Sequence, residues 1–268
     1  MEGNLSSRLA TAAVGIPLLI GLVGWAPSWM FTAFFLILTS AALREYFLIV
    51  FPGRCWDQCA GIVFGLALAG ALLASEEQAF RIQLSLILLL GFCIYPFLGG
   101  DLETRLRRLL WTLLGGFYLG LLVPHWILLF HRPNGRAWVF FVMLIIMSGD
   151  SAAYFVGRRF GKIKLAPEIS PGKTVEGAVA YLIGGILFGL IGAAYLFSNV
   201  SSVEALALSA ALAILGQVGD LFESWIKRAC AVKDSGDILP GHGGVLDRLD
   251  SLIFPAVFTT TYLGYFHS

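Results

Sequence analysis

Residues 175–197 read VEGAVAYLIGGILFGLIGAAYLF, and Glu176 is the one charged side chain among them. A helix rises about 1.5 Å per residue, so a stretch of this length covers the roughly 30 Å of hydrocarbon in a bilayer. Lipid offers the backbone no hydrogen-bond partners, and the alternating pattern of a β-barrel strand is absent. This stretch therefore predicts a transmembrane α-helix.

Stretches of the same character recur along the whole chain, and no separate soluble domain interrupts them. The sequence therefore predicts an all-α polytopic integral membrane protein, with residues 1–268 forming a single membrane domain of about nine transmembrane helices. The predicted spans are Leu9–Trp25, Trp29–Val50, Ala60–Ala74, Ile82–Leu98, Leu110–Phe130, Ala137–Val156, Val175–Phe197, Ala205–Trp225 and Ser251–Phe266.

The overall composition agrees with a membrane protein and excludes other classes. The 268 residues are 58% hydrophobic and 13% charged, whereas soluble domains carry roughly 25% charged residues. This apolar content excludes intrinsic disorder, and a formal net charge of +1 argues against a nucleic-acid partner. The four cysteines form no CxxC pair, so they indicate neither a zinc site nor a disulfide framework.

The basic residues predict which loops face the cytoplasm. With nine spans and a cytoplasmic N-terminus, 15 of the 18 Lys and Arg residues fall on the cytoplasmic side, as the positive-inside rule requires. Only Arg81, Arg132 and Arg136 fall on the other side. We therefore expect a cytoplasmic N-terminus, and we expect the two longest polar loops, Gly157–Lys173 and Lys227–Arg248, to face the cytoplasm.

Acidic residues gather where one predicted span ends and the last one begins. Asp220, Glu223 and Lys227 have the i, i+3, i+7 spacing that places them on one helix face, and Asp247 and Asp250 have an i, i+3 spacing. Acids at membrane depth are costly and indicate function. Converging carboxylates need a cation between them, and such oxygen ligands together with substrate phosphates suit Mg²⁺.

Basic side chains and a glycine turn accompany these acids. Arg grips phosphate oxygens bidentately and Lys acts as a point charge, so the pattern indicates a phosphorylated substrate. The glycine turn lets backbone N–H groups approach an anion, and His242 within it could donate to a phosphate or shuttle a proton. The alternative interpretation is that these acidic and basic side chains have no catalytic role and only form a solvated boundary at the helix ends. The basic residues are Lys227, Arg228, Lys233 and Arg248.

A second polar cluster begins at Asp150, inside an apolar span, and continues in the following loop. Gly-Lys-Thr at 172–174 resembles a P-loop, but that motif needs a glycine where the chain has Pro167, and no strand is expected before it. Ser170, Lys173 and Thr174 at the start of a helix form a natural anion site. The alternative interpretation is that this segment is only a cytoplasmic loop rich in basic residues, followed by the N-cap of the next helix.

These segments together resemble a known enzyme family. The chain is similar to the phosphatidate cytidylyltransferases (CDP-diacylglycerol synthases) at every specified position of a signature that covers 27 residues. The segments 150–154 and 170–177 also resemble that family. In this chain the signature reads Ser224-x-Ile226-Lys227-Arg228, then Lys233-Asp234-x-Gly236, then Leu239-Pro240-x-His242-Gly243-Gly244-Val245-x-Asp247-Arg248-Leu249-Asp250.

The resemblance implies an enzyme of phospholipid biosynthesis that transfers CMP from CTP to phosphatidic acid, giving CDP-diacylglycerol and pyrophosphate. It implies a requirement for Mg²⁺, with a second cation left open, and it points to a homodimer. We expect the protein to lie in the inner (cytoplasmic) membrane with its active site facing the cytoplasm. A lipid substrate explains why the acids lie at the bilayer boundary, and a nucleotide substrate explains why the polar loops face the cytoplasm.

That reaction gives the candidate residues their roles, because nucleotidyl transfer depends on positioning and charge neutralisation. We assign Mg²⁺ binding to Asp220 and Asp247, with Asp250 as a third candidate, and we expect the catalytic residues within 131–268, after N-terminal helices in 1–130. The catalytic candidates are Asp220, Asp247, Asp250, Lys227 and His242. The substrate-binding candidates are Ser170, Lys173, Thr174, Arg228, Lys233, Asp234 and Arg248.

Two other kinds of protein compete with this interpretation. A secondary transporter or ion channel would also carry intramembrane carboxylates, but transporters place their sites near the midplane. Here the acids crowd one boundary, and only Asp150 is a deep candidate. A membrane scaffold with a lipid-binding basic face would not need paired carboxylates.

Overall fold

A computed structural model of the protein describes residues 15, 17–74, 77–94, 99–236 and 243–266. Within these ranges the chain is mostly helical. It includes a π-helical segment, Gly116–Leu121. Residues 17–24 are also helical. The helices that follow them are α1 (Ser28–Val50), α2 (Cys55–Ala74), α3 (Glu77–Ile94), α4 (Leu102–Gly115), α5 (His125–Phe130), α6 (Gly135–Phe160), α7 (Val175–Leu196), α8 (Ser202–Ala229) and α9 (Leu246–Phe266).

Within the described part of the chain, six helical segments are long and apolar enough to cross a membrane. They are α1, α2, the continuous stretch from α4 to α5, α6, α7 and α8. The predicted class, an all-α polytopic membrane protein, is therefore confirmed.

The other three predicted spans do not reach the same length and apolarity among the described residues. Ile82–Leu98 falls mainly on α3, whose apolar part, Ala79–Leu90, is short. Ser251–Phe266 falls on α9, which carries three charged residues within its first five positions. Leu9–Trp25 lies partly outside the described residues. The total of nine spans stays a prediction.

Helix α7 packs against its neighbours through small residues. A Cβ atom added to Gly184 would lie 2.7 Å from the Cβ of Ala152 on α6, and one added to Gly185 would lie 3.0 Å from the Cβ of Ala213 on α8. Lipid provides no hydrophobic drive for helix association, so close backbone approach supplies the contact area. The glycines of residues 175–197 therefore bring α6, α7 and α8 together.

Aromatic rings fill the contacts of the α4–α5 segment with α1 and with the last two helices. Phe31 on α1 stacks on Phe130 of α5 with ring centroids 4.0 Å apart. The ring of Tyr118, in the π-helical segment, meets Phe222 of α8 at 4.9 Å and Phe254 of α9 at 6.0 Å. These contacts fix the α4–α5 segment against the helices that carry the predicted acids.

A small antiparallel hairpin lies between α6 and α7, formed by β1 (Lys164–Ala166) and β2 (Ser170–Thr174). The expectation that no strand precedes the Gly-Lys-Thr segment was wrong, because β1 precedes it and the segment itself lies in β2. The P-loop remains excluded by Pro167. The hairpin is held from α8, where the Arg228 Nε donates to the Ile169 carbonyl at 3.1 Å.

The described helix ends meet in two groups, at opposite ends of the bundle. At one end, Arg136 at the start of α6 donates to the carbonyls of Val23 and Ala26, at 2.9 and 2.7 Å. At the other end, the last turns of α1 and α8 lie beside the hairpin and the first turn of α9. The predicted functional residues lie at this second end.

Candidate active site

A cavity of about 510 Å³ opens between α6, α7 and α8, next to the hairpin. This volume is in the range of small-ligand sites. Its polar lining includes Asp150 from α6, Gln217 and Asp220 from α8, and Lys173 and Thr174 from the end of β2. The structure thus brings together three of the predicted site residues with Asp150, for which the sequence suggested no role.

Lys173 and Asp220 form an ion pair across this cavity. The Lys173 Nζ lies 2.6 Å from the Asp220 Oδ2, and the two side chains keep 25% and 32% of their surface exposed. Asp150 and Asp250 lie close enough to Asp220 to interact with it electrostatically, and Lys173 and Arg248 oppose that repulsion at Asp150. Carboxylates this close to one another cannot all stay ionised without a further cation, so the arrangement suits a metal ion or a phosphate bound through one.

Thr174 places Lys173 by starting α7. Its backbone is extended, and its Oγ1 accepts a hydrogen bond from the Gly177 backbone N–H at 3.2 Å. This is an N-cap, which satisfies one of the N–H groups that have no partner within the helix. The predicted anion-binding threonine is therefore engaged by its own helix, and it also lines the cavity.

Lys227 bridges two carboxylates in a more enclosed position. Its Nζ lies 2.6 Å from the Glu223 Oε2 and 2.6 Å from the Asp247 Oδ1. The exposed fractions of these side chains are 12% for Lys227, 0% for Glu223 and 14% for Asp247. Breaking such a pair would leave an uncompensated buried charge, so each member holds the others in place.

The second oxygen of Asp247 is held by the loop before α9. The Asp247 Oδ2 accepts from the Ser235 Oγ at 2.8 Å, from the Ser235 N–H at 3.2 Å and from the Gly244 N–H at 2.9 Å. Gly243 has a positive φ of 80°, and a Cβ there would lie 2.9 Å from the same oxygen. The predicted glycine turn thus donates the Gly244 backbone N–H to an acid of its own chain.

Glu45 is a member of this site that the sequence did not reveal. Although it lies on α1, its Oε1 accepts from the Val245 N–H at 2.9 Å and its Oε2 from the Leu246 N–H at 2.8 Å. The Ser235 hydroxyl lies 3.3 Å from the Oε2, and only 2% of Glu45 is exposed. The available signal was a single acid near the end of an apolar span, which is equally typical of an interfacial ion pair.

Two tyrosines of the cavity were also missed as site residues. Tyr181 is buried in the wall, and no hydrogen-bond partner for its hydroxyl exists within the described part of the chain. The Tyr154 hydroxyl accepts from the Arg158 guanidinium at 2.8 Å. Tyr154 belongs to a segment with a recognisable pattern, whereas Tyr181 stands in the apolar run without any sequence signal.

The remaining described candidates are not part of the cavity lining. Ser170 is half-buried in β2, and Arg228 is exposed, donating to the Ile169 and Val232 carbonyls. Lys233 and Asp234 are exposed in the loop after α8, and Arg248 is exposed at the start of α9. His242 lies outside the described residues.

The acids at this end of the bundle are the candidates for holding a metal ion. Across the described ranges, no three His, Cys, Asp or Glu side chains are grouped closely enough to hold a metal on their own. Mg²⁺ usually needs only one or two carboxylates, with waters and substrate phosphates completing its shell. The oxygen donors around Asp220 and Asp250 fit that requirement, while Asp247 is engaged by Lys227 and the loop. The assignment of Asp220, Asp247 and Asp250 as ligands stays a prediction.

Comparison with known proteins identifies similar chains. A family model described as the cytidylyltransferase family matches residues 6–266. A phosphatidate cytidylyltransferase of Bacillus subtilis is 43% identical over 159 residues, which are 57% of each chain. One of Staphylococcus saprophyticus is 46% identical over 123 residues, 46% of this chain and 47% of its own. An uncharacterized protein of Escherichia coli, YnbB, is 33% identical over 98% of this chain and 88% of its own. This chain thus spans about half the length of the phosphatidate cytidylyltransferases it matches.

Proposed function

We propose, on the premise that the chain belongs to the cytidylyltransferase family, that it is a phosphatidate cytidylyltransferase. It would transfer CMP from CTP to phosphatidic acid, giving CDP-diacylglycerol and pyrophosphate. The family match bears out the resemblance seen in the signature, and relatives of that name support the choice of substrates. The observation that carries the proposal is the cavity in which Lys173 and Asp220 meet Asp150.

The chemistry we propose begins with an exchange of partners at Lys173. In the structure this ammonium group neutralises Asp220, and both side chains are partly exposed to the cavity. A substrate phosphate would offer Lys173 a more highly charged partner, and the move would free the Asp220 carboxylate. A phosphatidate oxygen then attacks the α-phosphorus of CTP in line, and the bond to the leaving pyrophosphate breaks. The protein's part is to hold the phosphates in line and neutralise their charge.

Mg²⁺ belongs to the proposal through the donors at this cavity. The residues that would hold it are the predicted ligands Asp220 and Asp247, with Asp250 as the third candidate; of these, Asp220 lines the cavity. When bound, the ion would withdraw charge from the phosphate oxygens, as metal ions do in other phosphoryl transfers. Whether one or two cations act here is part of the same prediction.

The membrane arrangement is also proposed. We infer nine spans, a cytoplasmic N-terminus and an active site facing the cytoplasm at the inner membrane. In that arrangement α1 ends and α9 begins on the cytoplasmic side, and the Glu45 contact with Leu246 supports it by joining those two ends. A homodimer remains part of the proposal from the family resemblance.

The placement of the acids does not favour a transporter or channel. Asp150 lies within α6, but the other acidic groups lie toward the ends of α1 and α8 or at the start of α9, beside polar loops, whereas transporter sites lie near the midplane. Glu223 and Asp247 both contact Lys227 in an enclosed position, where 0% and 14% of their side chains are exposed.

The proposal is tested with purified protein in detergent. Incubation with CTP, phosphatidic acid and MgCl₂ is expected to yield CDP-diacylglycerol, detected by mass spectrometry of the lipid extract. Asp220→Asn protein prepared in parallel is the control that exposes a contaminating host enzyme. Absence of product from the parent protein with any divalent cation would contradict the proposed activity.

A further inference from the structure

We propose that Glu45 is a positioning residue of the active site: from α1 it holds the loop and the helix turn that present Asp247. The proposal rests on the proposed function, since Asp247 is one of the predicted catalytic acids. Glu45 itself touches no substrate in this account. It acts through Ser235 and through the first turn of α9.

The first observation is the pair of backbone contacts. Each Glu45 oxygen accepts one N–H at the start of α9, from Val245 at 2.9 Å and from Leu246 at 2.8 Å. N–H groups at a helix start have no partner within the helix and carry a partial positive charge. A buried carboxylate therefore caps this helix from 200 residues away in the chain, and it fixes the direction in which α9 leaves the loop.

The second observation is a hydroxyl shared by two acids. The Ser235 Oγ lies 2.8 Å from the Asp247 Oδ2 and 3.3 Å from the Glu45 Oε2. One hydroxyl has one proton to donate, and the shorter distance assigns it to Asp247. Ser235 is itself buried, and its hydroxyl lies next to both Glu45 and Asp247. Loss of Glu45 would release the loop that clamps Asp247.

The third observation is that the glycine turn is shaped around Glu45. A Cβ added to Gly244 would lie 2.6 Å from the Glu45 Oε2, and it would also collide with the Ser235 hydroxyl. Only a glycine leaves room for the carboxylate at this point. The signature segment and an acid on α1 therefore form one unit, although nothing in their sequence spacing joins them.

The test compares Glu45→Ala and Glu45→Gln with the parent protein. Glu103→Gln is the matched control, because Glu103 is an exposed acid that forms an ion pair with Arg107. Steady-state kinetics with CTP and phosphatidic acid give kcat and KM, and hydrogen exchange with mass spectrometry follows the peptide that contains Val245 and Leu246. Parent activity reports on the proposed function, while the exchange measurement reports on Glu45 even if no activity is found.

For Glu45→Ala we expect kcat to fall about 100-fold, the size of effect that a misplaced catalytic group produces, with each KM within about threefold of the parent. Exchange at residues 245–246 should quicken while α6 and α7 keep the parent rates. Glu45→Gln, which keeps one acceptor oxygen, should fall between Glu45→Ala and the parent, and Glu103→Gln should match the parent. If Glu45→Ala does not fold, the Glu45→Gln comparison decides.

Three results would overturn the proposal. One is a kcat within about threefold of the parent in both variants, a range too small for a misplaced catalytic group. Another is a lower kcat with unchanged exchange at residues 245–246. The third is faster exchange throughout the helices, which would mark Glu45 as a residue of general stability.

Discussion

Two lysine–carboxylate contacts lie at the same end of the molecule and differ in their surroundings. The pair of Lys173 and Asp220 faces the cavity, with a quarter to a third of each side chain exposed. Lys227 lies between Glu223 and Asp247, and Glu223 has no exposed surface at all. Lys173 forms a salt bridge with one carboxylate, whereas Lys227 is held by two carboxylates from different helices.

The difference teaches which part of the site is free to change partners. A partly exposed ion pair contributes little to stability, so its members can pass to a substrate at low cost. An enclosed group of charges is costly to disturb, because the charge left behind stays buried without a partner. We therefore interpret the Lys173–Asp220 pair as the substrate-exchanging part of the site and the Lys227 group as its frame.

The largest expected effect is on turnover. Asp220→Asn and Asp247→Asn should each lower kcat by about 100-fold or more, since removal of one preorganised charge-stabilising group typically has an effect of this size. Formation of CDP-diacylglycerol measures it. Asp220→Asn should keep the parent's thermal stability, while Asp247→Asn should lower it, because one amide oxygen must replace two oxygens that bind Lys227 and the loop. Parent-like turnover in Asp247→Asn would remove that residue from the reaction.

The next effect separates the two lysines by stability. Lys227→Met should lower the free energy of unfolding by about 3 kcal/mol or more, because it leaves Glu223 and Asp247 buried and unpaired. Lys173→Met should lower it by less than about 1 kcal/mol, although both variants lose turnover. Tryptophan fluorescence during unfolding in detergent follows the difference. Equal losses of stability would break the distinction between an open and an enclosed contact.

The smallest expected effect concerns the helix cap beside Lys173. Thr174→Val removes the hydroxyl that accepts from the Gly177 N–H and should lower the free energy of unfolding by about 1 kcal/mol. Thr174→Ser keeps the hydroxyl and serves as the control. The same unfolding assay applies, and a parent-like midpoint for Thr174→Val would show that the cap does not support α7.

The sequence revealed the parts of this fold whose signals are local. The apolar run at 175–197 predicted α7, and the spacing of Asp220, Glu223 and Lys227 predicted one helix with its polar residues toward one end. The salt-bridge partners of these residues lie far away in the sequence. Asp220 pairs with Lys173 from the hairpin, and Lys227 pairs with Asp247 from α9. Spacing along a helix fixes a face, but it carries no information about which other element meets that face.

Glu45 shows even more clearly that the sequence does not reveal contacts between distant elements. A lone glutamate near the end of an apolar helix has the same sequence appearance whether it meets lipid headgroups or a helix start 200 residues later. Gly244 belongs to the glycine turn for which the sequence predicted close backbone approach to an anion. The anion in the structure is the chain's own carboxylate, a contact that only the packing of α1 against the loop creates.

The central claim, transfer of CMP from CTP to phosphatidic acid, is tested most directly by following labelled phosphorus. Purified protein is given phosphatidic acid, MgCl₂ and CTP labelled at either the α- or the γ-phosphate. The account predicts that the α-label enters the lipid extract as CDP-diacylglycerol and that the γ-label stays in water as pyrophosphate. Appearance of the γ-label in the lipid, or of neither label, would contradict it.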